Sequence, residues 1–493
     1  MRRTVSIGVV CIWVLMLGAL VHRTWKPTPP LAKPTVLQAP EAAEQWMGVY
    51  HQDQKIGYTY SSLTPAGEQL IFSEASLLRL TVLDTAQTVR TSIRGHLGRD
   101  FALHDVDFEL SSGVGKLQAS AVVDGKQLRV NLRTGKDVSE QVLPLDQPLY
   151  LPAPLRAALT AGPMQPGREM EALVFDPTAL KNDRMRITIA AREPVPHATS
   201  DSDAWRITED FRGLQTTAWI DATGAVLREE GPMGFVLIRQ SAEQATTLDW
   251  ATQTALDVVA SAAVPVARPI TDARQRMTLK VRLSGIELDK VPSDQEQVRE
   301  GGVVTLTRRG LSTMRSYALP YGGDDHLEEM TATAFLQSDH PRIHTTARAA
   351  IGEERDAVRA ASRLNDWVYD SLRKVPTISI PNALQVLDMG EGDCNEHAVL
   401  LAALARAVGI PTRVVAGAVY VDGAFLYHAW CEVWIGQWVS IDPAFHQFPA
   451  DATHIKFVVG GPETHLAMLS VIGRLGIEVL DERSCSGRLA ARE

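Results

Sequence analysis

Cysteine is scarce in this chain: 4 residues in 493, with Cys11 lodged in an N-terminal apolar stretch where it reads as apolar filler. Only Cys394, Cys431 and Cys485 remain in the body. Three thiols cannot all pair, so a disulfide-built scaffold is excluded and at least one thiol is free. Excess positive charge is also missing. The 49 Lys and Arg residues are outweighed by 58 Asp and Glu spread along the chain, for a net charge of -9, which excludes phosphate-backbone binding as the main task and nucleic acid as a partner. Low-complexity tracts are absent too, and 45% hydrophobic with 22% charged residues is the composition of folded globular protein. A chain of 493 residues exceeds one ordinary core, so two or three domains are expected.

Long apolar runs are confined to one place. Arg2 and Arg3 precede an uncharged run from Val5 to Val21, which His22, Arg23, Trp25 and Lys26 follow. As a helix the run would span about 25 Å, short for a bilayer but workable with interfacial Trp25 and basic flanks. A small-x-small cleavage site is lacking, so an uncleaved anchor is favoured over a signal peptide, and both imply export. The sequence therefore predicts a membrane helix over residues 1–25, with the body on the periplasmic side of the cell envelope, anchored to the inner membrane.

Residues 26–45, rich in Pro and Ala, read as a linker. From 46 to 260 the pattern is strand after strand: Leu128, Val130 and Leu132 alternate after Asp124-Gly125, and Trp219 to Leu227 reads as strand, tight turn, strand. A largely antiparallel sheet follows from so many hairpins. Residues 261–332 add a β-rich connector, with Met277, Leu279, Val281 and Leu283 in alternation. The period changes in 333–465, where Ala347, Ile351, Val358, Ala361, Leu364, Val368 and Leu372 form the stripe of an amphipathic helix. Residues 466–493 look like a polar tail. The expected class is α+β: an N-terminal membrane helix, a large mainly antiparallel β region, and a C-terminal α+β domain.

One stretch of that last domain carries chemistry. In EGDCNEHAVLLAALARAVGIPTR, Cys394 precedes residues apolar on nearly every side, and Gly409 ends the helix. Cys394 thus falls at the first turn, where unpaired N–H groups and the helix dipole favour a thiolate. Its pKa is expected to fall. Downstream, Arg413–Val421, an Asp422-Gly423 turn and AFLYHAWCEVWIGQWVSIDP read as hairpins. A two-residue turn at Asp422-Gly423 sets His428 opposite Gly417, whose missing side chain leaves room for substrate. Asp442 is the natural partner for His428 provided that the next loop is odd, such as Ile435-Gly436-Gln437, since strand side chains alternate.

The segments GDCNEHAVLLAALARAVGIPTRVVAG, YHAWCEVW and WVSIDPAF together resemble the transglutaminase-like superfamily, from about Phe335 to Val459 and including the ending DATHIK. The resemblance implies a papain-type fold with a Cys-His-Asp triad in that chain order. Carried over by position, Cys394 resembles the nucleophile, His428 the general base and acid, and Asp442 the orienting carboxylate. Many bacterial members are described as cysteine proteases, so hydrolysis of a protein or peptide amide is the implied reaction, with amine transfer in cross-linking and a non-catalytic envelope scaffold as alternatives. No metal or organic cofactor is required by this chemistry. The pieces KIGYTYSSL and WIDATGAVL are similar to envelope proteins with a half-barrel sheet.

Other readings of the same residues stay open. Cys394-x-x-His397 and His428-x-x-Cys431 have the spacing of a zinc knot, although 428 and 431 on one strand face opposite sides. His397 could line the site or serve as a base. Trp430, Trp434 and Trp438 could form an acyl-binding groove or cross-strand packing. His454 and Lys456 would position the loop after Asp442. Nothing in the sequence sets the oligomeric state.

Overall fold

The structure, a computed structural model, describes residues 43–483 except 83–84, 114, 135, 198–202, 249–255, 258–261, 312–315, 463–466 and 469. One 16-stranded sheet dominates the first half. Its middle is Ala43–His51, paired antiparallel with Gln54–Ala66 on one side and with Phe235–Gln240 on the other. One arm runs outward, strand by strand, to Asp137–Pro144, and the other runs to Leu149–Tyr150. Alternation builds it: in Gln127–Thr134 the side chains of Leu128, Val130 and Leu132 are buried while Gln127, Arg129 and Arg133 face water. The helix Pro152–Thr160 places Leu155 and Leu159 in the core that this sheet curls around.

The second half has two further sheets. A 4-stranded one orders Gln297–Glu300, Val303–Thr307, Thr278–Ser284 and Gly476–Arg483, so the segment expected as a tail supplies a strand. A 5-stranded one contains Val264–Pro265, Ala424–Trp434, Thr412–Val421 and Ile455–Gly460, with Trp438–Ile441 paired to Ala424–Trp434. The two sheets share a core in which Leu279, Val281 and Val304 meet Phe425, Ile455 and Phe457. The other face of the 5-stranded sheet carries helices. Pro341–Ile351, Ala357–Ser371 and Ala383–Met389 pack around Cys394–Ala407, which rests on Ala429, Cys431 and Val433.

Two expectations are corrected. Among the described residues strand takes 48% and helix 19%, so the structure is mostly β rather than α+β; the helical pattern of the C-terminal region is real but small beside the sheets. The expected membrane helix, residues 1–25, lies outside the described residues, as do Cys11 and Cys485. Among the described residues no helix is long and apolar enough to cross a membrane. The longest, Ala357–Ser371, has 15 residues, about 22 Å against the roughly 30 Å of a bilayer core. Inner-membrane anchoring, the membrane as a partner and the periplasmic placement drawn from that anchor are therefore withdrawn.

Candidate active site

Cys394 is the first residue of its helix, and the sequence ahead of it builds a double cap. Asp393 accepts the Asn395 N–H at 2.9 Å, while Glu396 folds back to accept the Asp393 N–H at 2.9 Å. Gly392 is required by that fold: a Cβ there would lie 2.3 Å from Cβ and Cγ of Glu396. Glu396 is wholly buried, and its other oxygen accepts hydroxyls from Thr377 at 3.0 Å and from Ser379. The large sheet steadies this loop, because Gln87 donates to Pro376 O at 2.6 Å and accepts the Ile378 N–H at 3.1 Å.

The cap has an electrostatic consequence opposite to the one expected from the helix dipole. Burial first, and the Asp393 carboxylate second, push the Cys394 thiol well above its ordinary value, with the Ala429 N–H pulling the other way. Asp393 in turn is held above the carboxylate range by burial and by Glu396 beside it. The dipole's half charge at the helix start is outweighed by burial of the thiol, to which the neighbouring Asp393 and Glu396 carboxyl groups add. Cys394 thus rests as a thiol.

His428 lies on Ala424–Trp434 directly opposite Gly417. Trp434 pairs with Trp438, so the loop between them is the three residues Ile435–Gln437, and Asp442 emerges on the face of His428. Nε2 of His428 donates to Oδ2 of Asp442 at 2.8 Å. The same oxygen accepts from Nε2 of His454 at 3.0 Å, and Oδ1 accepts the N–H groups of Ala444 at 2.8 Å and Phe445 at 3.0 Å. Burial works against ionising Asp442, yet the charges and hydrogen bonds of His428 and His454 hold it well below the carboxylate range. An ionised acceptor fixes the proton of His428 on Nε2 and leaves Nδ1 as its basic nitrogen.

His454 is the strongest addition to the expected set. Burial opposes its protonation, but Asp451 and Asp442 on either side raise it to about 9. Asp451 is tied down in turn by Arg274 at 3.1 Å, whose guanidinium also lies 4.1 Å from the centre of the Phe445 ring. Phe445 stacks on His428 at 4.6 Å and 11°. The DATHIK ending pointed to His454 only as a loop-positioning residue; Phe445 ended the segment WVSIDPAF without a role being assigned to it, and Arg274 had no signal in the sequence.

The remaining expected residues fall as follows. The space over Gly417 is filled: a Cβ there would lie 2.5 Å from Trp430 Cη2 and 2.0 Å from Ile455 O. The substrate room expected at Gly417 is therefore taken by the Trp430 ring, itself wholly buried. Trp434 and Trp438 form a cross-strand pair at 5.5 Å that His326 and Arg413 cover. His397 is buried, bound through Nδ1 to the Asp393 carbonyl at 2.6 Å, and burial lowers its pKa. It is thus a neutral ring under the helix start. Cys431 donates to Ala398 O at 3.1 Å on the face away from His428, so the zinc knot has no common face. Among the described residues the trio able to hold a metal ion is His428, Asp442 and His454, whose ligand atoms lie within 4.8 Å of one another. Their mutual hydrogen bonds already account for that approach.

Residues 344–443 match the family model of the transglutaminase-like superfamily. No curated protein matches the chain. Among solved structures, a candidate cysteine protease from Cytophaga hutchinsonii is 16% identical, with a TM-score of 0.29 over 42% of this chain and 85% of that one. A β-barrel-like protein from Brucella abortus, a domain of unknown function, is 12% identical with a TM-score of 0.32 over 40% of this chain and 95% of that one.

Proposed function

Because residues 344–443 match the family model of the transglutaminase-like superfamily, we propose that this region is a thiol acyl-transfer enzyme acting on amide bonds of proteins or peptides, working as a cysteine peptidase or amidase. In this reading Cys394 is the nucleophile, His428 the proton carrier and Asp442 the group that fixes it. The observation that carries the reading is a shared strand. His428 donates to Asp442 at 2.8 Å, and the next residue, Ala429, belongs to the core against which Cys394 packs.

The chemistry then runs as a base-driven attack. Nδ1 of His428 takes the thiol proton as sulfur adds to the amide carbonyl carbon, and the carbonyl electron pair moves to oxygen. The imidazolium formed is stabilised by Asp442. His428 returns the proton to the amide nitrogen as the C–N bond breaks, releasing the amine and leaving a thioester on Cys394. Water attacks the thioester while His428 removes one of its protons; the C–S bond breaks, the acid leaves, and the thiol is restored. His454 is a positioning residue here, holding Asp442 ionised and in place from the far side.

Transfer to an amine instead of water differs only in the acceptor. Incubating the chain with a peptide mixture in ¹⁸O-labelled water, followed by mass spectrometry, separates the two. New carboxyl termini carrying ¹⁸O are expected, with none from Cys394→Ala. Isopeptide-linked products with loss of ammonia would instead indicate cross-linking, and identical peptide masses from wild type and Cys394→Ala would overturn catalysis by this site.

A further inference from the structure

The large sheet holds a cavity that the chemistry above does not use. It measures about 840 Å³ and lies between the sheet and the helix Pro152–Thr160, with Met47, Leu63, Phe72 and Leu237 in its apolar wall. A second hollow of about 540 Å³ continues along the sheet and shares Glu74 with it. That volume is in the range of small-molecule sites, roughly 300 to 1,000 Å³, which are largely apolar with a few placed polar groups.

The polar groups decide what could enter. Arg156 reaches in from the helix, but its donors are taken: Nε and Nη2 donate to Glu209 at 2.7 Å each, and Nη1 lies 2.7 Å from Glu229. In the larger cavity an anionic head group would meet Glu74 and Glu229 with no cation free to receive it among the described residues; Arg94 and Arg133 line only the second hollow. Glu74 is in the reverse situation. Half-buried on the strand Gln69–Val82, it lines both hollows and has no hydrogen-bond or ion-pair partner among the described residues. Burial pushes its carboxyl up to about 7, against the pull of Arg156 and with a further rise from Glu229. Above that pH a neutral ligand would leave the carboxylate desolvated and unpaired, a cost that an ammonium group removes without protonating Glu74.

We propose that this cavity binds an elongated apolar molecule ending in one primary ammonium group, an alkylamine or a lysine-like chain, with the ammonium on Glu74 and the hydrocarbon along Met47, Phe72 and Leu237. This site is separate from Cys394, His428 and Asp442, and its test reads binding rather than turnover. Isothermal titration of the full chain at pH 8 with decylamine, decanol and decanoate, each kept below its micelle threshold, discriminates among head groups on one hydrocarbon. Decylamine is expected to bind at least tenfold more tightly than decanol, with decanoate weakest. Glu74→Gln should bring decylamine to the level of decanol without changing decanol. Equal binding of all three, an amine preference that survives Glu74→Gln, or no binding at all would overturn the proposal. Should Glu74→Gln fail to fold, Ala157→Phe, which fills the cavity from the helix side, is expected to abolish decylamine binding, and unchanged binding would overturn it equally.

Discussion

In the large sheet burial follows the pleat, whereas around Asp442 the strands bury charge. Gln127–Thr134 hides three aliphatic side chains and exposes its arginines. The C-terminal region instead buries Glu396, Glu432, Asp442 and Lys456 at 0–2% exposure, each with a partner of opposite charge or a set of donors. An unpaired charge at such depth would cost several kcal/mol. Polar burial on this scale therefore marks where the chain has organised a site, while the alternating sheet is organised mainly by hydrophobic burial. The large sheet departs from this at the Arg156 cluster, beside its cavity, and at the Arg212–Asp176 pair.

Mutations should sharpen that contrast. The largest effect is expected on turnover: His428→Ala should reduce amide cleavage by about 10³-fold or more, and Asp442→Asn by about 10²-fold or more, with circular dichroism unchanged for His428→Ala. Next comes the buried cation. Lys456 bonds Asp294 at 2.5 Å and also Glu432, which keeps Arg413 at 2.7 Å. Lys456→Met should then cost about 3 kcal/mol in urea unfolding, the low end for breaking a buried pair because Glu432 retains one partner. Breaking the exposed pair of Arg282 and Glu478 by Arg282→Ala should cost less than about 1 kcal/mol. Equal losses at both positions would erase the distinction between buried and surface charge.

His454 gives a pH-dependent version of the same test. Its folded pKa of about 9 lies above the ordinary imidazole value of 6.5, so its contribution is fully present below pH 6.5 and is lost as pH rises through 9. The shift corresponds to about 3 kcal/mol. His454→Asn should therefore be less stable than wild type at pH 6, and the gap in unfolding free energy should narrow by pH 10. A gap independent of pH would mean that His454 is not a buried cation.

Much of the local geometry was legible in the sequence because periodicity fixes which face a strand residue takes. Asp422-Gly423 closes a hairpin with positive φ at both residues, Val421 pairs with Ala424, and His428 falls opposite Gly417. The need for an odd loop before Asp442 followed from the same alternation, and Ile435–Gln437 is that loop. What escaped depends on neighbours distant in the chain. Trp430 fills the gap at Gly417 because Ile455–Gly460 presses against the other side of Thr412–Val421. Arg274 reaches Asp451 and Phe445 from before the 4-stranded sheet, and the polar sequence of Gly476–Arg483 hides a strand that only Thr278–Ser284 makes sense of. The direction of the Cys394 shift was missed because a helix start is visible in sequence, whereas the desolvation of the thiol and the burial of Glu396 beside it are not.

The central claim is that Cys394 rests as a thiol and becomes a nucleophile only through His428. It is tested most directly by the rate of thioester formation on Cys394 from an activated peptide ester, followed by intact-mass and peptide-mapping spectrometry in wild type and His428→Ala at pH 7. The account predicts rapid acylation at Cys394 in wild type and a loss of about 10³-fold in the variant, with slow alkylation of the same sulfur by iodoacetamide that still rises at pH 9. Acylation of His428→Ala at the wild-type rate, or adducts that spare Cys394, would contradict it.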